Sequence, residues 1–195
     1  MALGYLLARA SFRGKSLVET FVALPLFLPP TAVGYLLLEM FAVDGPLGRE
    51  TLGFDLDVLF TFKGAVLAAS VMALPLVART ARVAFEGVPP RLERMGRSLG
   101  MSRRRVLTSV TLPLAWRGLI AALFLGFARA MGEFGATVIV AGNVQGKTQT
   151  IALAIYSDFQ ARRDSRAIWL VGLTVVLAFA LVWTVELLQR RRSDA

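Results

Sequence analysis

The chain has 195 residues, of which 56% are hydrophobic, with a mean hydropathy of +0.63 and a formal net charge of +9. A soluble domain is about half apolar even with glycine counted, so this composition reads as a membrane protein, with length for one bundle of about four or five helices at about 20 residues per span. There is no cysteine and no histidine, which excludes disulfides, thiol chemistry, the usual zinc sites and an imidazole-based triad; no cofactor and no metal are expected.

The opening "MALGYLLARASFRGK" has too short an apolar run for a signal peptide and no small-residue cleavage site after it. Eight helical residues before Arg9 rise about 12 Å, well short of a bilayer core. The segment reads either as the tail of a span whose start lies upstream of Met1 or as an interfacial stub; the first is favoured, because a missing helix would leave its neighbours without a packing partner. Four longer apolar stretches follow, at 17–41, 59–84, 112–140 and 168–188. The first holds Pro25, Pro29 and Pro30, which free backbone carbonyls and kink a helix; the kink is either bland or part of a pathway.

Lysines and arginines set the orientation. Arg9, Arg13 and Lys15 precede the first stretch, eight arginines lie in 79–105, and Arg190, Arg191 and Arg192 close the chain, against Arg49 and Lys63 in one remaining loop and Lys147, Arg162, Arg163 and Arg166 in the other. The positive-inside rule then places both ends and the central loop in the cytoplasm.

That central loop, 86–113, reads "EGVPPRLERMGRSLGMSRRRVLTSVTLP" and predicts two short helices. Pro89 and Pro90 suit a first turn, Leu92, Met95 and Leu99 form an apolar stripe, Gly100 suits a left-handed C-cap, and Ser102 can cap the second helix. Val106 and Val110 continue an apolar face, and Pro113 opens the next span. A helix-turn-helix reader of DNA has the same outline, but a unit held between two spans has little freedom to reach a major groove, so no nucleic acid is expected. A plain basic, lipid-facing loop is another reading.

After the third stretch, "AGNVQGKTQT" contains Gly146-Lys147-Thr148, the ending of a phosphate-binding loop. Such a loop needs four residues between its glycines so that consecutive N–H groups curl around phosphates; Gly142 and Gly146 enclose three. The orientation also puts this segment outside, away from ATP.

The central loop resembles the cytoplasmic loop of the permease subunits of binding-protein-dependent ABC importers, which has the form Glu-Ala-Ala, three residues, Gly, nine residues, Ile, one residue, Leu-Pro. Here the matching positions are Arg94, Met95 and Gly96, then Gly100, Val110, Leu112 and Pro113. In that family the loop docks in a groove of the ATP-binding cassette subunit, with the glycine as its turn; the resemblance implies that role for these residues and for Leu99. Arg94 replaces the glutamate and Gly96 the second alanine, which puts the charge pairing with the ATPase in question; Glu93, about 100° away on a helix, is no simple substitute. "LPPTAVGYLLL", "LPLAWRGLIAALFLGFARA" and "RAMGEFGATVIVAGNVQGKTQTIALAIY" resemble the molybdate branch of the family and, less closely, the sulfate/thiosulfate branch. The likeness covers nearly the whole chain from Leu3.

The resemblance implies an all-α polytopic helical bundle of the ABC importer permease type, four full spans plus a partial N-terminal one, forming a single transmembrane domain over 1–195. It also implies a multi-pass inner (plasma) membrane protein with a cytoplasmic C-terminus, working as a homodimer with ATPase subunits and an extracytoplasmic molybdate-binding protein. The chain itself would carry no catalysis. "AGNVQGKTQT" would be an external connection and "TIALAIYSDF" a short helix under the binding protein. Pro29, Pro30, Glu133, Gly135 and Thr137 are the candidates for the translocation path or gate. A carboxylate does not attract an anion, so Glu133 is read first as a structural partner of Arg129 and second as a gating group; Lys147 either steers oxyanions to the mouth or is a solvated loop lysine. Rivals are a sulfate or tungstate permease, a passive anion channel, which would need no coupling loop, and a membrane scaffold or enzyme, for which the scattered carboxylates offer no clustered chemistry.

Overall fold

The structure is a computed structural model that describes residues 1–190; Arg191 and Arg192 of the terminal basic cluster lie outside the described residues. All regular elements among them are helical. In chain order these are α1 (Ala2–Arg9), α2 (Lys15–Ala23) running into a 3-10 turn (Leu24–Leu26), α3 (Pro30–Phe41), α4 (Arg49–Leu52), α5 (Phe62–Glu86), α6 (Pro90–Ser98), α7 (Arg103–Val106), a π turn (Leu107–Thr111), α8 (Leu112–Met131), α9 (Gly135–Ala141), α10 (Ile151–Gln160) and α11 (Asp164–Arg190).

Three helical stretches are long and apolar enough to cross a bilayer, Phe62–Glu86, Arg103–Met131 and Asp164–Leu187. The expected span at 17–41 is not one kinked helix. Lys15–Leu26 and Pro30–Phe41 are separate helical segments bent by 110°, and together they make a fourth span at most. The cause is local: Pro30 takes the first helical position of α3, where its missing N–H costs nothing, and Pro29 before it is held extended, at φ −55° and ψ 135°. The stretch at 112–140 is likewise broken after Met131 and resumes at Gly135. The second helix of the central loop is not independent either; α7 continues through the π turn into α8 as one helix of 29 residues. Pro113 falls in the first turn of α8 rather than at a fresh start.

The chain divides into two compact units, and the division falls within α2, α5, α8 and α11. The first comprises Met1–Val22, Leu76–Gly126 and the chain from Leu181. Its core is Ala81, Ala84, Phe85, Val88, Ala115, Leu119 and Ala122, with Tyr5 and Ala8 of α1 packed against it. Small residues bring these helices close: a methyl at Gly4 would meet the Ala81 Cβ at 2.7 Å, and one at Gly118 the Ala84 Cβ at 2.6 Å. The Tyr5 ring meets Phe85 edge-on, centroids 5.2 Å apart.

The second unit, Ala23–Pro75 and Phe127–Ala180, is built on Val33, Leu37, Ala68, Met72, Ala136 and Val140. Its long segment of α11 is apolar around its whole circumference, and Ile168, Trp169, Val175, Val176 and Phe179 are all exposed. A helix hydrophobic on every side suits lipid or a neighbouring subunit rather than water.

Candidate functional site

In the first unit the central loop has the cap chemistry its residues predict. Pro90 holds the first helical position of α6, Gly100 follows the helix with φ +82°, and the Ser102 hydroxyl accepts the N–H of Arg105 at the start of α7. Gly96 is buried, and a methyl there would stand 3.2 Å from the Val106 Cγ2 and 3.3 Å from the Met101 sulfur. That is tighter than ordinary contact: a methyl here would oblige the Val106 and Met101 side chains to shift slightly, so glycine, where the resembled pattern has alanine, lets α6 lie close against α7 and the π turn. Val110 belongs to the same contact, its Cγ2 3.9 Å from that methyl position.

Met95 and Leu99, 55% and 82% exposed, form an outward apolar strip. Arg94 is exposed beside them, and Leu112 and Pro113 are exposed in the first turn of α8. The structure thus joins Gly96 to Val110 and leaves Arg94, Met95, Leu99 and Gly100 on the surface. An apolar strip rimmed by charge on a short helix is suited to seating in a groove of another protein.

Glu93 turns inward instead. Its Oε1 accepts Arg9 Nη2 at 2.9 Å and Nε at 3.1 Å, and the Thr111 hydroxyl at 2.9 Å. Arg9 Nη2 also donates to the Val88 carbonyl at 2.8 Å. One carboxylate therefore ties α1, α6 and the π turn. Sequence reasoning missed this knot; in the sequence Arg9 reads only as a flanking charge, and no local spacing links it to Glu93.

In the second unit the five path candidates divide in the same way. α3 and α9 pack in close contact: a methyl on Gly135 would stand 2.8 Å from the Pro30 Cβ, and one on Gly34 would stand 2.8 Å from the Ala136 Cα. The two helix breaks, at 27–29 and 132–134, are thereby brought side by side. Glu133 is 2% exposed; its Oε2 accepts Arg129 Nη1 at 2.8 Å and its Oε1 accepts the Ala136 N–H at 3.0 Å. The carboxylate so satisfies a donor at the start of α9 and neutralises the arginine one turn earlier. Thr137 is fully buried, and its hydroxyl has no hydrogen-bond partner among the described residues. Phe134, inside the break, meets Tyr156 of α10 edge-on at 5.0 Å.

The Gly-Lys-Thr segment is closed to phosphate. The N–H groups of Lys147, Thr148 and Gln149 all point at the Val144 carbonyl, at 3.1, 2.9 and 3.1 Å, and the Thr148 hydroxyl accepts the Val144 N–H. A nest needs those N–H groups free. Lys147 itself is exposed. α10 starts at a Thr150 cap, and buried Asp158 near its end lies 3.8 Å from Arg163 and 3.6 Å from Arg166.

Comparison with known proteins agrees with this architecture. The profile of the family described as "Binding-protein-dependent transport system inner membrane component" matches residues 1–194. The chain is 46% identical over 159 residues to the molybdenum transport system permease protein of Haemophilus influenzae, covering 81% of this chain and 69% of that protein. It is 42% identical over 188 residues to the molybdenum transport system permease protein of Escherichia coli K12, covering 95% and 82%. The sulfate transport system permease protein of Salmonella typhimurium is 30% identical over 191 residues, covering 98% and 69%.

Proposed function

The chain belongs to the binding-protein-dependent transport system inner membrane component family, and from that premise we propose that it is the membrane-spanning permease of an ATP-driven importer for molybdate. The observation that carries the cargo is the contrast in likeness, 36 to 46% identity to molybdenum permeases against 30% to a sulfate permease. The whole chain, 1–195, acts as one transmembrane domain with its C-terminus in the cytoplasm. It works as a homodimer with an ATP-binding cassette subunit, which hydrolyses the ATP, and an extracytoplasmic molybdate-binding protein, which delivers the anion.

The docking element is α6, with Met95 and Leu99 entering the ATPase groove and Gly100 making the turn. ATP binding closes the ATPase pair and displaces α6. The knot at Glu93 and the close seat at Gly96 oblige the π turn to move with it, and the uninterrupted helix Arg103–Met131 carries the displacement into the membrane. π turns inside helices often sit where a helix must flex for function. At the other end the paired breaks next to Pro30 and Gly135 form the gate. Broken helices at membrane depth place irregular backbone along a path rather than against lipid, and the Thr137 hydroxyl, buried beside them without a hydrogen-bond partner among the described residues, becomes a donor to the oxyanion once the breaks part.

Uptake of labelled molybdate into proteoliposomes holding the permease, its ATPase and the binding protein tests the class. ATP-dependent accumulation is expected, abolished when the ATPase is omitted. Uptake that persists without ATPase would make the protein a passive channel.

A further inference from the structure

The first unit holds a cavity of about 610 Å³ between α1 and the α6–α7 element. Arg9, Arg94, Arg97 and Arg103 line it, with Glu93 as the one carboxylate and Tyr5 on the apolar side. Glu93 is already engaged by Arg9 and Thr111. Arg94, Arg97 and Arg103 have no carboxylate partner among the described residues.

Cationic heads gathered around one concavity repel one another, and a cleft lined by one sign of charge focuses its field on whatever fills it. Guanidinium forks fit the geometry of a phosphate, two N–H groups to two oxygens. The apolar wall of Tyr5, Ala8, Pro90 and Val106 suits the part of a ligand next to that phosphate. We propose that this cavity binds a phosphate group, supplied by an anionic phospholipid headgroup or by free phosphate, and that the bound anion clamps α1 to the coupling element. Met95 and Leu99 are outside the cavity lining, so occupancy leaves the apolar docking strip open.

The test uses the purified full-length chain. Native mass spectrometry is run after exchange into phosphatidylglycerol or phosphatidylcholine, and thermal melting is followed against inorganic phosphate. One charge-selective phosphatidylglycerol site per chain is expected, and Arg97→Gln or Arg103→Gln should each weaken it about five-fold, the value of one cation beside an anionic lipid. Both arginines are exposed, and the melting point of each variant without ligand checks that the fold is kept. The pair Arg104→Gln and Arg105→Gln, on the same helix but outside the cavity lining, should leave binding unchanged. Phosphatidylglycerol retention that free phosphate does not compete identifies the lipid; stabilisation by phosphate that also displaces the lipid identifies the free anion. Equal retention of both lipids with no phosphate effect, or equal losses in the cavity and control variants, would overturn the site.

Discussion

Arg9 and Glu93 stand 84 residues apart, yet two nitrogens of the arginine meet one carboxylate oxygen at 2.9 and 3.1 Å. Both side chains are largely enclosed, 18% and 12% exposed, so removing one partner strands the other. Glu93→Ala is expected to cost about 2–3 kcal/mol and to lower the melting temperature in detergent by roughly 5–10 °C. The double variant Arg9→Leu, Glu93→Leu should recover much of that loss, because no charge is left unpaired. Wild-type melting of Glu93→Ala would show that the knot contributes nothing.

Gly100 has φ +82°, and a methyl built there would meet nothing within 4 Å. Any cost of substitution is therefore conformational, roughly 1–2 kcal/mol for a β-branched residue and less for asparagine. Gly100→Val should lose co-purification with the ATPase or uncouple hydrolysis from uptake, while Gly100→Asn should keep most of both. If the valine variant docks and transports normally, the turn is not what positions α6.

Gly34 faces backbone, with Ala136 Cα at 2.8 Å and its carbonyl oxygen at 3.0 Å from the methyl position. Backbone cannot rotate away as a side chain can. Gly34→Ala should force α3 from α9 at a cost of about 1–3 kcal/mol, read as a lowered melting temperature, with transport falling as the neighbouring breaks separate. Gly53→Ala, in open space though at positive φ, is the surface comparison and should keep the α3–α9 contact.

Thr137→Val separates folding from transport. The hydroxyl is buried without a partner among the described residues, so valine, nearly the same shape, removes a desolvated polar group and should leave stability equal or up to about 1 kcal/mol higher. Uptake should fall nonetheless. Unchanged uptake would remove the hydroxyl from the path.

What could be read from the sequence follows the range of the forces involved. The cap positions Pro90, Gly100 and Ser102 and the pair Arg129 and Glu133 are local: each depends on residues within one turn, and each stands where the spacing predicts. Pro25, Pro29 and Pro30 mark a kink in the first stretch but not that it becomes a 110° break between two helices, and the second break has no such mark, because hydropathy runs on through Gly132–Phe134 without recording where the backbone turns. Nor was the packing of Gly34 on Ala136 or the link from Arg9 to Glu93 legible, since both depend on how distant segments meet. Nothing in the sequence explains the departure at Gly96; the nearness of Val106 and Met101 supplies a packing cause.

The central claim, that the cargo is molybdate, is tested most directly by competition in the reconstituted importer. With labelled molybdate supplied through the binding protein, excess tungstate should suppress uptake far more strongly than the same excess of sulfate, since tungstate shares the size and geometry of molybdate. Equal suppression by sulfate would contradict the account and move the protein to the sulfate branch.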